Sequence, residues 1–335
     1  MLETIVMKSE RSAQARSEPD ISKWSLWTGC SNFFLSETGT VQGSILGPFL
    51  YAVYVSPLFD LSKLTNFADD NFIIRMGKSI KDLTETMKTS LEVIISWLKD
   101  SGLKVNESKT EMCFFHRSEC RVVEVMVGDR LIRSLKEMNV LGVKFDSNLQ
   151  WAPQVSATIK KANTALHAIK LIKKYFNKEE ISHLLTSNFF SILYYNSEIW
   201  HLKTLHYHLH TQIRTASANA LKLCTPNYDF NMSYDTLHLI NKRALPNQIL
   251  VYKLALTLYK LYNHRLPQFE WINLNFDQII TSRQAFFEVL NAPHFRVGNN
   301  ILVNRLSILN RKIPLEWLSL ELSGFKLKCK QQFLS

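Results

Sequence analysis

The chain has 335 residues, of which 46% are hydrophobic, so it can bury a sizeable core in two or three domains. Its 10 glycines and 9 prolines argue against a loop-dominated β-protein. Its five scattered cysteines, without a Cys-x-x-Cys pair, argue against a disulfide framework or a zinc site. The net charge of +11 is unevenly distributed: residues 1–149 contain 18 Lys and Arg against 19 Asp and Glu, which leaves +12 for residues 150–335. This excess favours a nucleic-acid partner for the C-terminal half, because Lys and Arg neutralise phosphates.

The first stretch of the chain shows no secondary-structure pattern. Residues 8–20 are polar, rich in Ser, Glu and Arg, and follow neither a strand nor a helix period. We therefore predict that residues 1–23 are a disordered or foreign leader. The N-terminus has no apolar core long enough for a secretory signal, and Gly, Pro and Gln interrupt the uncharged run 41–59. Neither a signal peptide nor a membrane span is predicted.

Residues 40–48 form the glycine-containing motif Thr-Val-Gln-Gly-Ser-Ile-Leu-Gly-Pro. Gly47 and the proline after it are typical of a turn into a helix with proline near its first position. Gly43 lets the backbone approach another group closely, so Gln42 and Ser44 are candidates to contact a nucleotide base or sugar. A plain helix-initiating turn is the alternative reading of this motif.

Two adjacent carboxylates follow in the tetrapeptide Phe67-Ala68-Asp69-Asp70. Both flanks are rich in β-prone residues, which predicts a hairpin with the acids at its tip. Neighbouring carboxylates in an apolar stretch repel each other unless a cation lies beside them. Their oxygen atoms suit Mg²⁺ (or Mn²⁺) in two-metal phosphoryl transfer. An ordinary Asp-Asp turn is the alternative.

A long amphipathic helix is predicted after this hairpin. Apolar residues recur at helical spacing through residues 79–101, with Ser79 as the N-cap and Gly102 as the C-cap. We expect this helix to pack against the sheet that contains the hairpin.

The order and spacing of these motifs resemble the palm of reverse transcriptases from jockey-like non-LTR retrotransposons. The resemblance extends to residues 102–110 and to Val140-Leu141-Gly142-Val143, which looks like the hairpin of the primer grip. It implies RNA-templated DNA synthesis, with an RNA template, a DNA primer, deoxynucleoside triphosphates and Mg²⁺ or Mn²⁺ as partners. The residues that it implies are Asp69 and Asp70 as catalytic metal ligands, Gln42, Gly43, Ser44, Gly47, Phe67 and Lys109 around the nucleotide and template, and Leu141 and Gly142 in the primer grip. A solvated surface lysine is the alternative for Lys109.

The sequence departs from the family pattern upstream of the glycine-containing motif. The family has a further aspartate there, on a separate strand and in an Ala-Phe-Asp context. None of the acids available in this chain has that context: Glu3, Glu10, Glu18, Asp20 and Glu37. Asp20, which precedes Ile21, is the one substitute that the sequence offers. We therefore expect an N-terminally truncated polymerase without fingers, whose activity is impaired.

Residues 150–335 are predicted to be helical and to contact nucleic acid. The first helix carries a basic cluster that would bind the nucleic-acid backbone: Lys160, Lys161, Lys170, Lys173 and Lys174. In this helix Ile159, Leu166, Ile169 and Ile172 are predicted to face inward. Residues 179–200 are predicted to form a second, apolar helix, and a solvated helix face is the alternative role for the lysines.

The predicted fold is α+β. It consists of a partial right-hand polymerase palm (24–149), with an antiparallel sheet and helices, a helical thumb (150–225), and a helical C-terminal extension (226–335) to which the sequence assigns no role. A non-catalytic nucleic-acid-binding remnant of such a polymerase is the alternative function, and a helical interaction protein is a third. We expect an intracellular location, cytoplasmic or nuclear, and the sequence indicates no oligomeric state.

Overall fold

The computed structural model describes residues 3–12, 16–22, 25–26, 29–30, 34–38, 44–62, 64–68, 70–77, 79–115, 122–201, 207–263, 272–274, 287–289 and 313–334. The protein is α+β and divides into two compact units, residues 2–149 and residues 150–335. This division falls at the predicted end of the palm segment, whereas the boundary between thumb and extension stays a prediction. Among the helices in the described ranges, none is long and apolar enough to cross a bilayer.

The N-terminal unit contains a mixed sheet with its first strand at the centre. In chain order the strands of this unit are β1 (Glu3–Ser12), β2 (Arg16–Ser22), β3 (Ser25–Leu26), β4 (Gly29–Cys30), β5 (Phe34–Thr38), β6 (Thr65–Phe67), β7 (Asp70–Gly77), β8 (Lys104–Val105), β9 (Glu111–Phe115), β10 (Glu124–Val127), β11 (Arg130–Leu135), β12 (Glu137–Val140) and β13 (Val143–Asp146). The main sheet has the order β10-β11-β9-β1-β7-β6, and β8 pairs with the end of β1. The pairs β2–β5, β3–β4 and β12–β13 form separate two-stranded sheets.

Strand β1 lies within residues 1–23, which we predicted to be a disordered or foreign leader, so the described part of this segment is not disordered. It is antiparallel to β7, from Glu3↔Gly77 to Glu10↔Asp70, and antiparallel to β9 on its other side. Pairing on both sides explains the error, because hydrogen bonds to two neighbouring strands fix an extended segment whose own sequence period is weak. The predicted substitute acid, Asp20, lies elsewhere: it pairs with Ser36 in the β2–β5 sheet.

The predicted amphipathic helix is confirmed. The helices of the N-terminal unit are α1 (Gly47–Val55), α2 (Pro57–Ser62) and α3 (Ile80–Asp100), with a 3₁₀ turn at Glu107–Lys109. The Ser79 side chain accepts a hydrogen bond from the Asp82 amide at 3.1 Å, and Gly102 has a φ of 67° just beyond the helix. Helix α3 packs on β7, β1 and β10 through one buried stripe: Leu83, Met87, Leu91, Ile94 and Leu98.

Helix α3 is also joined to β7 by a polar contact. The Arg75 Nε donates to Ser90 Oγ at 2.9 Å, and its Nη1 donates to the Ile74 carbonyl at 2.9 Å. Burial lowers the pKa of Arg75 from its ordinary value, because desolvation disfavours the charged guanidinium. The strand is therefore held against the helix by both apolar packing and hydrogen bonds.

The C-terminal unit is mainly helical. Its helices are α4 (Ala152–Ile172), α5 (Lys178–Leu184), a π-helix (Leu185–Phe190), α6 (Ser191–Leu193), α7 (Ser197–Trp200), α8 (Tyr207–Leu221), α9 (Tyr234–Ile240), α10 (Pro246–Tyr262), α11 (Leu315–Leu318) and α12 (Leu322–Phe333). A 3₁₀ turn at Lys173–Tyr175 follows α4, and β14 (Ile272–Leu274) pairs antiparallel with β15 (Phe287–Val289). Helix α4 packs on the π-helix, α6 and α8, and α10 packs on α7 and α12.

Two predictions about these helices need correction. Leu166 and Ile169 of α4 are buried as expected, but Ile172 is 38% exposed because it lies at the last position of the helix. The predicted helix over residues 179–200 is not continuous. It widens into the π-helix and is then interrupted at Asn196, whose φ of 46° is left-handed.

Candidate active site

The predicted hairpin is present. Strands β6 and β7 pair from Thr65↔Phe72 to Phe67↔Asp70, which leaves two residues between them. Ala68, the first of the two, has a φ of 52°, as two-residue hairpin loops with a primed turn require. Asp70 is half-buried at the start of β7, whereas Asp69 lies outside the described residues.

Asn66 stabilises this hairpin, and the sequence analysis did not single it out. Its Nδ2 donates to the Ala68 carbonyl at 2.9 Å and to Asn71 Oδ1 at 3.0 Å. The same group lies 3.3 Å from the Asp70 carbonyl. Asn71 is only 4% exposed, so this amide pair is part of the interior. An asparagine just before a two-residue loop was the available signal, since Asn side chains readily bond to nearby backbone.

Strand β1 brings a further acid to the hairpin. In the β1–β7 register, Glu10 lies directly opposite Asp70. Directly opposed residues of antiparallel strands have their Cβ atoms about 4.5–5.5 Å apart on the same face of the sheet. Asp20 was the substitute acid that the sequence offered, and this register adds Glu10 as a second candidate, although neither residue has the Ala-Phe-Asp context of the family. The missed signal was the β-prone run Thr4-Ile5-Val6-Met7 ahead of Glu10.

Lys109 and Asp70 lie at the same end of the central strands of the sheet. Both β7 and β9 run antiparallel to β1, so both strands begin where β1 ends. Lys109 is exposed and lies two residues before Glu111, the first residue of β9. Because β1 separates β7 from β9, the two strand starts are two strand spacings, or about 10 Å, apart. The backbone therefore brings one basic residue and Asp70 to the same end of the three central strands.

The glycine-containing motif is only partly described. Gln42 and Gly43 lie outside the described residues, Ser44 is half-buried, and Gly47 is buried at the start of α1. The predicted turn into a helix with proline at its beginning is confirmed. Phe67, at the end of β6, is 62% exposed and thus available to a ligand.

The second predicted hairpin is also present. Strands β12 and β13 pair from Glu137↔Asp146 to Val140↔Val143, with a two-residue loop between them. Leu141 and Gly142 have φ values of 47° and 80°, so both loop residues are left-handed, as a type I′ turn requires. Leu141 is 38% exposed at this tip.

The predicted basic cluster of the C-terminal unit lies on the surface. All five lysines are exposed: Lys160, Lys161, Lys170, Lys173 and Lys174. They do not form one stripe, because at about 100° per residue Lys161 and Lys170 lie on opposite sides of α4. Lys160 lies between them, opposite the buried face formed by Ala162 and Ile169. One flat partner could therefore contact Lys160 and one flank of the helix, but not both flanks.

The acids near the β6–β7 hairpin are candidates to hold a metal ion. Within the side chains that the structure describes, no three His, Cys, Asp or Glu groups cluster as a metal site. The acids that the backbone brings together are Asp70 at the start of β7 and, by register, Glu10. Asp69, the neighbour of Asp70 in sequence, lies outside the described residues. This donor set consists of carboxylate oxygens, which fits a hard divalent cation rather than zinc.

Comparison with known proteins matches the same part of the chain. Residues 9–145 match the family model described as "Reverse transcriptase (RNA-dependent DNA polymerase)". The chain is similar to "RNA-directed DNA polymerase from mobile element jockey" of Drosophila melanogaster, with 26% identity over 128 residues, 35% of this chain and 14% of the relative. It is also similar to "Probable RNA-directed DNA polymerase from transposon BS" of the same organism, with 25% identity over 144 residues, 39% of this chain and 16% of the relative. The Drosophila funebris jockey polymerase is 23% identical over 140 residues, 38% of this chain and 15% of that relative. The matched segments thus span about one sixth of these relatives or less.

Proposed function

Because residues 9–145 match the model of the reverse transcriptase family, we propose that the chain contributes to RNA-templated DNA synthesis. The N-terminal unit acts as part of a palm, and the C-terminal unit acts as a thumb with a helical extension. One observation carries the proposal: Asp70, Glu10 and Lys109 lie at one edge of a single sheet, on or just before three adjacent strands. The RNA template, the DNA primer and deoxynucleoside triphosphates are the proposed partners, within the cell.

The carboxylates are proposed to hold Mg²⁺ or Mn²⁺. Asp69 and Asp70 supply oxygen ligands at the hairpin tip, and Glu10 supplies a third across the strand pair. Two opposed carboxylates destabilise a strand pair, so a site of this kind favours a cation between them. A bound divalent ion would neutralise phosphate charge and lower the pKa of the primer hydroxyl.

The remaining residues are proposed to orient the substrates. Lys109 reaches the triphosphate from the start of β9 as a point charge. The nucleotide and template pocket is formed by Gln42, Gly43, Ser44, Gly47 and Phe67. Leu141 and Gly142 hold the primer end at the β12–β13 tip, where a rigid two-residue turn keeps the exposed loop in one conformation. Lys160, Lys161, Lys170, Lys173 and Lys174 attract the nucleic-acid backbone.

Primer extension tests this proposal. With poly(rA)·oligo(dT), Mg²⁺ and labelled dTTP, we expect the chain to extend the primer and the double variant D69A/D70A to lose extension. Glu10→Gln should lose it as well, because the substitution keeps the shape but removes one ligand charge. Glu3→Gln is the matched control, since Glu3 pairs with Gly77 at the other end of the same strand.

The outcomes separate the candidate functions. Extension that survives the double substitution excludes the assigned site. Salt-sensitive binding of the template–primer without extension by the unaltered chain favours the non-catalytic remnant, which the uneven charge of the two halves also supports. Absence of nucleic-acid binding even at low salt leaves the helical interaction protein.

A further inference from the structure

A cavity of about 400 Å³ lies in the C-terminal unit beside the π-helix. Its wall combines two cations with aromatic and hydroxyl groups: Thr186, Phe190, Tyr194, Asn196, Arg243 and Lys253. The predicted thumb lysines are not part of this wall, and the volume is within the range of small ligand sites.

The π-helix shapes one side of the cavity. The Ser191 amide donates to the Thr186 carbonyl, five residues earlier, instead of four as in an α-helix. Side chains compete for the carbonyls of the preceding turn: Thr186 Oγ1 donates to the Ser182 carbonyl at 2.6 Å, and Asn188 Nδ2 donates to the Leu184 carbonyl at 3.2 Å. Such competition loosens the regular ladder and widens the turn. Single π-turns are frequent at functional sites.

Arg243 is held rigidly at this widened turn. Its Nη2 donates to the Ser182 carbonyl at 2.8 Å and to Ser182 Oγ at 3.1 Å, and it also contacts Thr186 Oγ1. The guanidinium lies 4.8 Å from the centre of the Phe190 ring, which is itself stacked on Tyr194. The cation therefore has a fixed position and orientation before any ligand arrives.

The Arg243 charge is not balanced by an acid. Among the described residues, no carboxylate lies within ion-pair distance of its guanidinium, and its partners are neutral oxygens. Desolvation lowers the pKa of Arg243 from its ordinary value, which reflects the cost of partly burying this charge. A partly buried cation with neutral partners favours an anion in the adjoining space.

Lys253 adds a second cation, which is paired with one acid. Its Nζ lies 3.2 Å from Glu198 Oε2 and also donates to the Tyr194 carbonyl. The side chains of Lys253 and Glu198 are 27% and 23% exposed, so this pair is shielded from bulk water more than a surface pair is. With one acid for two cations, the cavity wall keeps a net charge of about +1.

The positive field extends beyond the cavity wall. Burial raises the pKa of the Cys224 thiol, while the positive charges of Arg243, Lys178 and Lys173 act in the opposite direction. Several cations from separate segments therefore act on the same region, which raises the local concentration of anions.

We propose that this cavity binds a phosphate group of a nucleic-acid strand, with Arg243 donating from Nη1 or Nε, since its Nη2 already donates to Ser182 and Thr186, and with Lys253 acting as a point charge. A guanidinium forms charge-assisted hydrogen bonds to phosphate oxygens, and the Nη2 bonds together with the contact on the Phe190 ring keep its remaining N–H groups in place. The volume leaves room for the attached sugar as well as the phosphate. The proposal rests on the proposed function only for the choice of nucleic acid as the source of the phosphate.

Binding of a labelled single-stranded oligouridylate to the full chain, followed by fluorescence anisotropy over a range of salt concentrations, tests the assignment. Lys253→Met should weaken binding about twofold to fourfold and reduce the slope of log affinity against log salt by about 0.7, the value for one phosphate contact on a single strand. Glu198→Gln should strengthen binding by a similar factor, because it removes the acid that competes with the phosphate. A purely structural Lys253–Glu198 pair predicts no gain for Glu198→Gln.

Lys260→Met is the matched control. Lys260 is exposed on the same helix, and seven residues of rise separate it from Lys253 by about 10 Å, one Debye length at moderate salt. We expect this variant to bind as the unaltered chain does. Equal losses of binding affinity for Lys253→Met and Lys260→Met would overturn the proposal. Unchanged binding by both Lys253→Met and Arg243→Lys would also overturn it, provided that their melting temperatures match that of the unaltered chain.

A second probe distinguishes the source of the phosphate. Inorganic phosphate and pyrophosphate are titrated against the melting temperature of the unaltered chain and of Lys253→Met. Stabilisation by these ions that Lys253→Met abolishes, with unchanged oligouridylate binding, assigns the cavity to free phosphates and overturns the nucleic-acid source. Because the readout is binding and not extension, failure of this proposal and failure of the polymerase proposal give separate results.

Discussion

Glu10 and Asp70 offer a direct test of the candidate site that does not require catalysis. The two residues are directly opposed on adjacent antiparallel strands. Their carboxylates would repel each other when both are ionised and no cation is present. Glu10→Gln and Asp70→Asn each remove one charge with little change of shape, so each should stabilise the metal-free protein.

The magnitude follows from the spacing. At a separation of about 5 Å, two unit charges in a water-like dielectric repel each other by about 0.8 kcal/mol. Favourable cross-strand pairs contribute about 0.2–1 kcal/mol, and like charges directly opposite each other are destabilising. For a unit of about 150 residues, 1 kcal/mol corresponds to a shift of roughly 2–4 °C in Tm. Mg²⁺ at ten times its Kd should stabilise the unaltered chain by about 1.4 kcal/mol. The variants lack one carboxylate ligand, so Mg²⁺ should stabilise them less.

Thermal unfolding of the full chain, in EDTA and in Mg²⁺, measures both effects. We expect Glu10→Gln to raise Tm in EDTA and to lose most of the rise that Mg²⁺ gives the unaltered chain. Glu3→Gln, at the other end of β1, should change neither value, because it pairs with Gly77. A lower Tm for both Glu10→Gln and Asp70→Asn in EDTA, together with an undiminished effect of Mg²⁺, would refute the proposed carboxylate pair.

Three further predictions concern the fold and the basic surface. Gly102→Ala should lower the free energy of unfolding by about 1–2 kcal/mol in urea denaturation, because the φ of 67° is unfavourable for an L-residue even though nothing lies within 4 Å of the added Cβ. Gly102→Asn should lower it less, because Asn tolerates a left-handed backbone better. An equal loss in both variants would contradict this explanation. Lys160→Gln should weaken binding to all duplex sequences alike and reduce the salt slope by about 0.9 in filter binding; an unchanged slope would exclude a phosphate contact. His238 is buried, its Nδ1 donates to the Ala244 carbonyl at 3.0 Å, and burial lowers its pKa from 6.5. Since the unfolded chain then binds the proton more readily, stability should fall as pH drops below about 6.5, and His238→Gln should reduce that slope in urea titrations at several pH values.

The hairpins and the long helix could be predicted because their signals are local. A β-prone run on each side of Ala68 specifies a short hairpin within a few residues, whereas the hairpin at Leu141 and Gly142 was expected from the family resemblance. Helix α3 has its cap at Ser79, its apolar stripe and its terminal glycine within one segment. Each of these features is determined by neighbours in sequence, so no knowledge of the rest of the chain was needed.

The place of β1 and the π-helix could not be predicted in the same way. Strand β1 pairs with β7 and β9, whose residues lie about 60 to 110 positions later in the chain, and its own pattern is too weak to define a strand. The π-helix follows from a set of side-chain hydrogen bonds and from the contact with Arg243, which lies more than fifty positions away. The hydrogen bonds of Asn66 were predictable only in part. The sequence shows that Asn66 precedes a turn, but it does not show which groups its side chain contacts.

By itself, the sequence determined the two turn motifs, the amphipathic helix and the uneven charge of the two halves, because each depends on residue type and short-range spacing. Only the tertiary structure decided which acid lies opposite Asp70 and that Arg243 and Lys253 share a cavity. Strand order and helix packing bring distant residues together through burial and backbone hydrogen bonds that the whole chain satisfies at once. Residue propensities and short-range spacing do not predict those contacts.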